Sequence, residues 1–141
     1  MQRDDDLIRN LLLETERLLP RSANGLLSVK EILFSEDDDI SVASEEFTVA
    51  NEHMRLLMEN GFVDGVDDGQ STNPYNRIIR VYRLTWSGHD FLDNIRDPDI
   101  WLKTKEGAKA SGGFTIDILS ALAKGFVKQK IQHHTGVEIE L

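Results

Sequence analysis

At 141 residues the chain has the size of one domain, or of one domain with a small appendage, and is long enough to enclose a core without disulfides or metals. It has no cysteine, which excludes disulfide staples, thiolate zinc sites and cysteine nucleophiles. The 16 Lys/Arg and 25 Asp/Glu leave a net charge of −9, which works against contact with phosphate backbones.

The first helix is expected from Arg3 to Leu19. Leu7, Ile8, Leu11, Leu12, Thr15, Leu18 and Leu19 repeat at the spacing of one buried stripe, and Pro20 ends it. Asp4, Asp5 and Asp6 fall in the first turn, where carboxylates meet the exposed N–H groups. Three consecutive helical residues point to different sides and make a poor metal cluster. Ala23-Asn24-Gly25 marks a turn. Ser28 with Glu31 then has the capping-box pattern and opens a short second helix through Phe34. Glu36-Asp37-Asp38-Asp39 reads as a solvated acidic loop, without the alternating ligands and central glycine of a calcium loop. Ile40-Ser41-Val42 alternates like a short strand.

Ser44 is placed to cap a third helix running to about Asn60, with Phe47, Ala50, Met54 and Leu57 as its core stripe and Gly61 as its C-cap. Phe62–Val66 and Ile78–Leu84 read as strands, joined by a turn-rich loop over Asp67–Asn76. Thr85 can cap a fourth helix with Phe91, Leu92 and Ile95 on its inner side. Asp97-Pro98 opens a fifth, carrying Ile100 and Trp101 and ending near Ala110. Thr115 opens the last helix, where Phe114 and Leu119 have the spacing of a hydrophobic staple. Its apolar face is Leu119, Leu122, Ala123, Phe126, Val127 and Ile131, with Lys124, Lys128 and Gln132 along another side. Residues after Thr135 are expected to be loose. No apolar run approaches the ~20 residues of a membrane span, and the acidic start at Met1–Asp6 is unlike a signal peptide, so the expected location is the cytoplasm.

Three helices, two strands and a further helix follow one another in the order of a winged helix. Leu56-Leu57-Met58-Glu59-Asn60-Gly61-Phe62-Val63 resembles a recognition-position helix passing through glycine into the first wing strand. Tyr82-Arg83-Leu84-Thr85-Trp86-Ser87-Gly88-His89-Asp90-Phe91-Leu92 resembles the second wing strand feeding the next helix. Met1 to Leu12 and Leu84 to Asp93 are similar to an uncharacterised bacterial and prophage family, domain-of-unknown-function family 2513. Trp101, Lys105 and the Gly112-Gly113 break also fit that family. The resemblance implies a mainly α fold with a small β-hairpin: a winged helix-turn-helix over residues 1–96, then two C-terminal helices over residues 97–141. It implies no catalytic residues.

Candidate functional residues follow from charge and position. His53, His89, His133 and His134 lack the i, i+4 spacing and carboxylate partner of a metal site, and no nucleophile-elbow, phosphate-loop or dinucleotide glycine pattern is present. Neither a catalytic residue, a metal nor a cofactor is expected. Residues 1–72 carry 6 Lys/Arg and 17 Asp/Glu, a net −11, whereas residues 73–141 carry 10 and 8, a net +2. Any nucleic-acid contact is therefore expected from the second half. If Tyr82 and Leu84 face the core, Arg77 and Arg83 project along the wing, where arginines contact phosphates or the minor groove. The alternative is that they offset Asp64, Asp67 and Asp68 across the hairpin. Lys124 and Lys128 add a basic side to the last helix.

The third helix begins Glu45-Glu46, and Thr48, Asn51, Glu52, Arg55 and Glu59 are its expected exposed positions. Asn51 and Arg55 are within reach of bases, but the acids beside them repel phosphate. Two functions stay open. The first is a small bacterial or phage regulator that binds double-stranded DNA mainly through its wing. The second is a protein-interaction module that takes a basic partner and has no DNA contact. The last helix is expected either to pair in a homodimer through the C-terminal helices or to fold back on its own domain.

Overall fold

The computed structural model describes residues 1–34, 44–67, 78–113 and 115–136. Among these residues the protein is mainly helical, with six α-helices and one antiparallel two-stranded sheet. It divides into two compact units, Met1–His89 and Asp90–Leu141. The division falls inside the fourth helix, seven residues before the boundary expected at 96/97.

In the first unit, α1 spans Asp5–Leu18. Asp4 is its N-cap, with the side chain accepting from the Leu7 N–H at 3.1 Å, and Asp5 and Asp6 lie in the first turn. A single 3-10 turn, Leu19–Arg21, contains Pro20 and ends the helix. Ile8, Leu11, Leu12 and Thr15 are buried along one stripe, and each full burial of a leucine or isoleucine contributes about 1.5–3 kcal/mol. The Thr15 hydroxyl is fully buried and accepts or donates no hydrogen bond. Thr15→Val is therefore expected to raise stability by about 1 kcal/mol, because it removes an unsatisfied polar atom at nearly constant shape. Urea unfolding of the two proteins checks this.

Helix α2, Val29–Leu33, is held at its start by the Glu31 carboxylate, which accepts from the Ser28 N–H at 3.1 Å. Helix α3, Glu45–Glu59, is capped by Ser44 and leaves through Gly61, whose φ of 78° lies in the left-handed region. Phe47, Ala50, Met54 and Leu57 are all buried, as the spacing anticipates. Helix α1 packs on both α2 and α3. The expected acidic loop at Glu36–Asp39 and strand at Ile40–Val42 lie outside the described residues.

Strands β1, Val63–Asp67, and β2, Ile79–Leu84, pair antiparallel. An isolated bridge sets Leu27 on the other side of β2, with the Leu27 N–H donating to Val81 O at 3.0 Å and the Val81 N–H to Leu27 O at 2.9 Å. Leu27, two residues before α2, thus acts as a one-residue third strand, and among the described residues β1 is left at the edge. The pairing carries a bulge: Asp64 faces Arg83, whereas Gly65 faces Val81, so Tyr82 is the extra residue. This resets the side-chain phase. Ile79 and Val81 are buried, Tyr82 turns outward at 51% exposure, and Leu84 is buried again. The expectation that Tyr82 faces the core is corrected, because simple alternation does not persist across a bulge.

In the second unit, Phe91, Leu92 and Ile95 of α4 (Trp86–Ile95) are buried. Helix α5, Pro98–Ala110, opens on Asp97, whose carboxylate accepts from Asp99 N–H at 2.8 Å and Ile100 N–H at 3.3 Å. Helix α6, Ile116–Thr135, opens on Thr115 and ends at Gly136 in the left-handed conformation. The two helices run antiparallel: Gly107 of α5 faces Leu122 of α6, and Lys130 of α6 bonds back to Asp97. That bond and those from the two backbone N–H groups hold the Asp97 carboxyl below its usual range. Only Leu119 and Ala123 of the expected α6 face are fully buried, whereas Leu122, Phe126, Val127 and Ile131 keep part of their surface exposed. Phe114 and residues 137–141 lie outside the described residues.

Candidate functional site

The residues expected to contact nucleic acid fall into three groups. Asn51 and Arg55 stand one turn apart on α3. Asn51 was expected on the surface, yet it is 2% exposed, and its Oδ1 accepts from the Ile79 N–H at 2.9 Å. This corrects the expected exposure: the amide is buried and satisfies the start of β2. Asn51→Leu is expected to cost about 2 kcal/mol of stability by leaving the Ile79 N–H without its acceptor, as read by urea unfolding.

Arg55 is held inward as well. Its guanidinium donates to Asp67 of β1 and to Glu52 at 3.2 Å, and its side chain is 15% exposed. Burial disfavours its charge, but the hydrogen bonds it donates to Asp67 and Glu52 outweigh burial and raise its pKa. The outward residues left on α3 are Glu45, Glu46 and Glu59, with Glu52 half-exposed.

On the hairpin, Arg83 is 60% exposed and donates to Asp64 across the strands at 2.6 Å. This is the cross-strand charge pairing weighed from the sequence, and its geometry leaves one side of the guanidinium open. Arg77 lies outside the described residues, as does Asp68. Lys124 and Lys128 belong to the second unit. They line a shallow groove on α6 with Asp117, Ser120, Ala121 and Gly125.

The histidines resolve into separate roles. His53 is fully buried, with Nδ1 donating to Val49 O at 2.8 Å and Nε2 accepting from the Asp4 N–H at 2.8 Å. Both bonds together require the neutral ring with its proton on Nδ1. His89 sits 3.8 Å from Glu16, and His133 and His134 meet edge to face. Among the described residues, no three His, Cys, Asp or Glu side chains are grouped to hold a metal ion. No described helix is long and apolar enough to cross a membrane.

One surface feature escaped the sequence reading. Of the five large apolar side chains that stay exposed among the described residues, three come from the hairpin and its exit: Val66 of β1, Tyr82 of β2, and Trp86, the first residue of α4, at 82% exposure. Sequence alternation hides Tyr82, because only the bulge turns it outward.

The exit itself is built tightly. The Thr85 N–H donates to Phe62 O at 3.0 Å, its hydroxyl donates to Gly61 O, and that same hydroxyl accepts from the Gly88 N–H at 3.0 Å. The Leu-Thr-x-x-Gly segment therefore fastens the end of β2 and the start of α4 to the link between α3 and β1.

A protein-family model described as "Hypothetical protein (DUF2513)" matches residues 2–115. An uncharacterized protein of Haemophilus influenzae (strain ATCC 51907 / DSM 11121 / KW20 / Rd) is 28% identical over 132 residues, covering 93% of this chain and 99% of that protein. No solved structure matches the chain.

Proposed function

We propose that this chain, which belongs to the family described as "Hypothetical protein (DUF2513)", is a winged helix-turn-helix module that binds a basic protein partner and does not read duplex DNA. The fold assignment is supported by the element order α1, Leu27 bridge, α2, α3, β1–β2, α4, in which the bridge supplies the short third strand. The functional half is carried by one observation. Both hydrogen-bond donors of α3 in reach of a groove, Asn51 and Arg55, are engaged inside the protein, and the outward positions are glutamates.

Charge and exposure support the same reading. The Met1–His89 unit holds 9 Lys/Arg and 17 Asp/Glu, a net −8, so a phosphate backbone meets repulsion and a basic protein meets attraction. Trp86, Tyr82 and Val66 supply exposed apolar and aromatic surface of the kind that anchors protein interfaces. Crosslinking from cells, followed by identification of what is captured, tests the proposal. A basic protein should be recovered by the wild-type chain and lost with both Trp86→Ala and Glu45→Lys plus Glu46→Lys. Equal recovery by all three would count against it.

A second reading, a bacterial or prophage regulator that contacts DNA through its wing, is favoured by one specific observation. Arg83 stays 60% exposed beside an outward Tyr82. Arg77→Ala with Arg83→Ala should then weaken duplex binding and flatten its salt dependence. Light scattering on the same samples tests pairing through the terminal helices, for which the half-exposed Leu122, Phe126, Val127 and Ile131 are the motive.

A further inference from the structure

A half-open cleft of about 420 Å³ lies in the second unit, where the first turns of α5 face the last turns of α6. Its floor is apolar, from Ile100 and Phe126. Its walls carry Lys103 of α5 and Lys130, His133 and His134 of α6, with the Gln129 amide beside them. The facing acids are Asp99 in the wall and the N-cap Asp97, and Asp97 is bonded to Lys130. Lys103, His133 and His134 are ion-paired with no described residue.

We infer that this cleft binds a phosphate group. Lys103, His133 and His134 would serve as its ligands, and Ile100 and Phe126 would lie against the body of the molecule carrying it. Four basic side chains converge there in a chain whose net charge is −9. Lys130 is paired with Asp97, and Asp99 is a carboxylate in the same lining, which leaves Lys103, His133 and His134 as the nitrogen donors that two helices place around one small volume. Phosphate suits that arrangement better than a carboxylate, because it carries more charge and offers more acceptor oxygens to donors arriving from several directions. The N-terminal end of α5 adds the partial positive charge of its helix. The inference concerns the second unit alone and does not rest on the interaction reading of the first.

The test is an NMR titration of the full-length, isotope-labelled chain at low salt, run separately with inorganic phosphate, AMP and a short DNA duplex. Saturable amide shifts are expected over Asp99–Thr104 and Phe126–His134, with AMP tighter than inorganic phosphate because it reaches the apolar floor. Lys103→Glu should weaken binding by about tenfold or more. Lys109→Glu, at an exposed position of α5 outside the cleft and with the same two-unit change of charge, should leave it unchanged. Saturation by AMP but not the duplex assigns the site to a free phosphate ester. The reverse assigns it to a backbone phosphate, and either result bears out the site. Shifts scattered over the surface, an equal loss with Lys109→Glu, or no saturation by any of the three would overturn it.

Discussion

Gly88→Ala is expected to unfold the Met1–His89 unit or to remove more than about 3 kcal/mol of its stability. The added Cβ would stand 2.0 Å from Phe62 O and 2.9 Å from Phe62 C, distances at which one group must move. Neither can move cheaply. Phe62 O already accepts the Thr85 N–H, the Thr85 hydroxyl holds Gly61 O, and Phe62 is itself buried. Relieving the clash would detach α4 from the α3–β1 link and break the N-cap that starts it. A domain of this size has only about 5–15 kcal/mol of total stability, so the loss should be visible as a lowered thermal midpoint or as failure to fold. Gly125→Ala supplies the contrast. It lies in the interior of α6 with nothing within 4 Å of the new Cβ, and it should gain up to about 1 kcal/mol from helix propensity. The same substitution at two glycines is thus expected to act with opposite signs, and circular dichroism during heating measures both.

His53→Ala should be the second most damaging change, at about 3 kcal/mol. The imidazole is fully buried on α3, and its two nitrogens tie the Val49 carbonyl to the backbone N–H of Asp4, the residue that caps α1. Truncation leaves a cavity and also removes the tether between α1 and α3. His53→Phe removes the cavity from the comparison, because it fills the site with a ring that has no polar atom. It should cost about 1–3 kcal/mol through the lost hydrogen bonds and the fit of a slightly larger ring. Urea unfolding gives both values. A cost for the alanine variant no larger than that of an exposed surface change would contradict the assigned role.

What the sequence reveals here is mostly local. Ser44, Asp97 and Thr115 all cap the helices they were expected to cap, because a cap is a contact between residues two or three apart, whereas Asp4, expected inside the first turn, is itself the N-cap of α1. The stripe of α3 is legible for the same reason. The failures are all long-range. Asn51 reads as a surface residue until the Ile79 N–H, 28 positions away, arrives to claim its amide. Tyr82 reads as core until a bulge on pairing with β1 turns it outward. Leu27 forms one bridge and so leaves no alternation to detect. The acidic character of α3 is visible in the bare sequence, but the inward commitment of Arg55 is not, because its partner Asp67 lies on another element. Those hidden pairings weaken the case for groove reading and move the functional proposal toward a protein partner.

The most direct test of that proposal is fluorescence anisotropy of labelled duplex DNA of mixed sequence, titrated with the full-length protein from about 50 to 200 mM salt, a range over which a protein making several phosphate contacts loses orders of magnitude in affinity. The result expected here is no saturable binding at the low end of that range, and no difference between the wild-type chain and Arg77→Ala with Arg83→Ala. Saturable binding that weakens steeply with salt and is lost in the double variant would contradict the account and establish the wing as a DNA-contacting element.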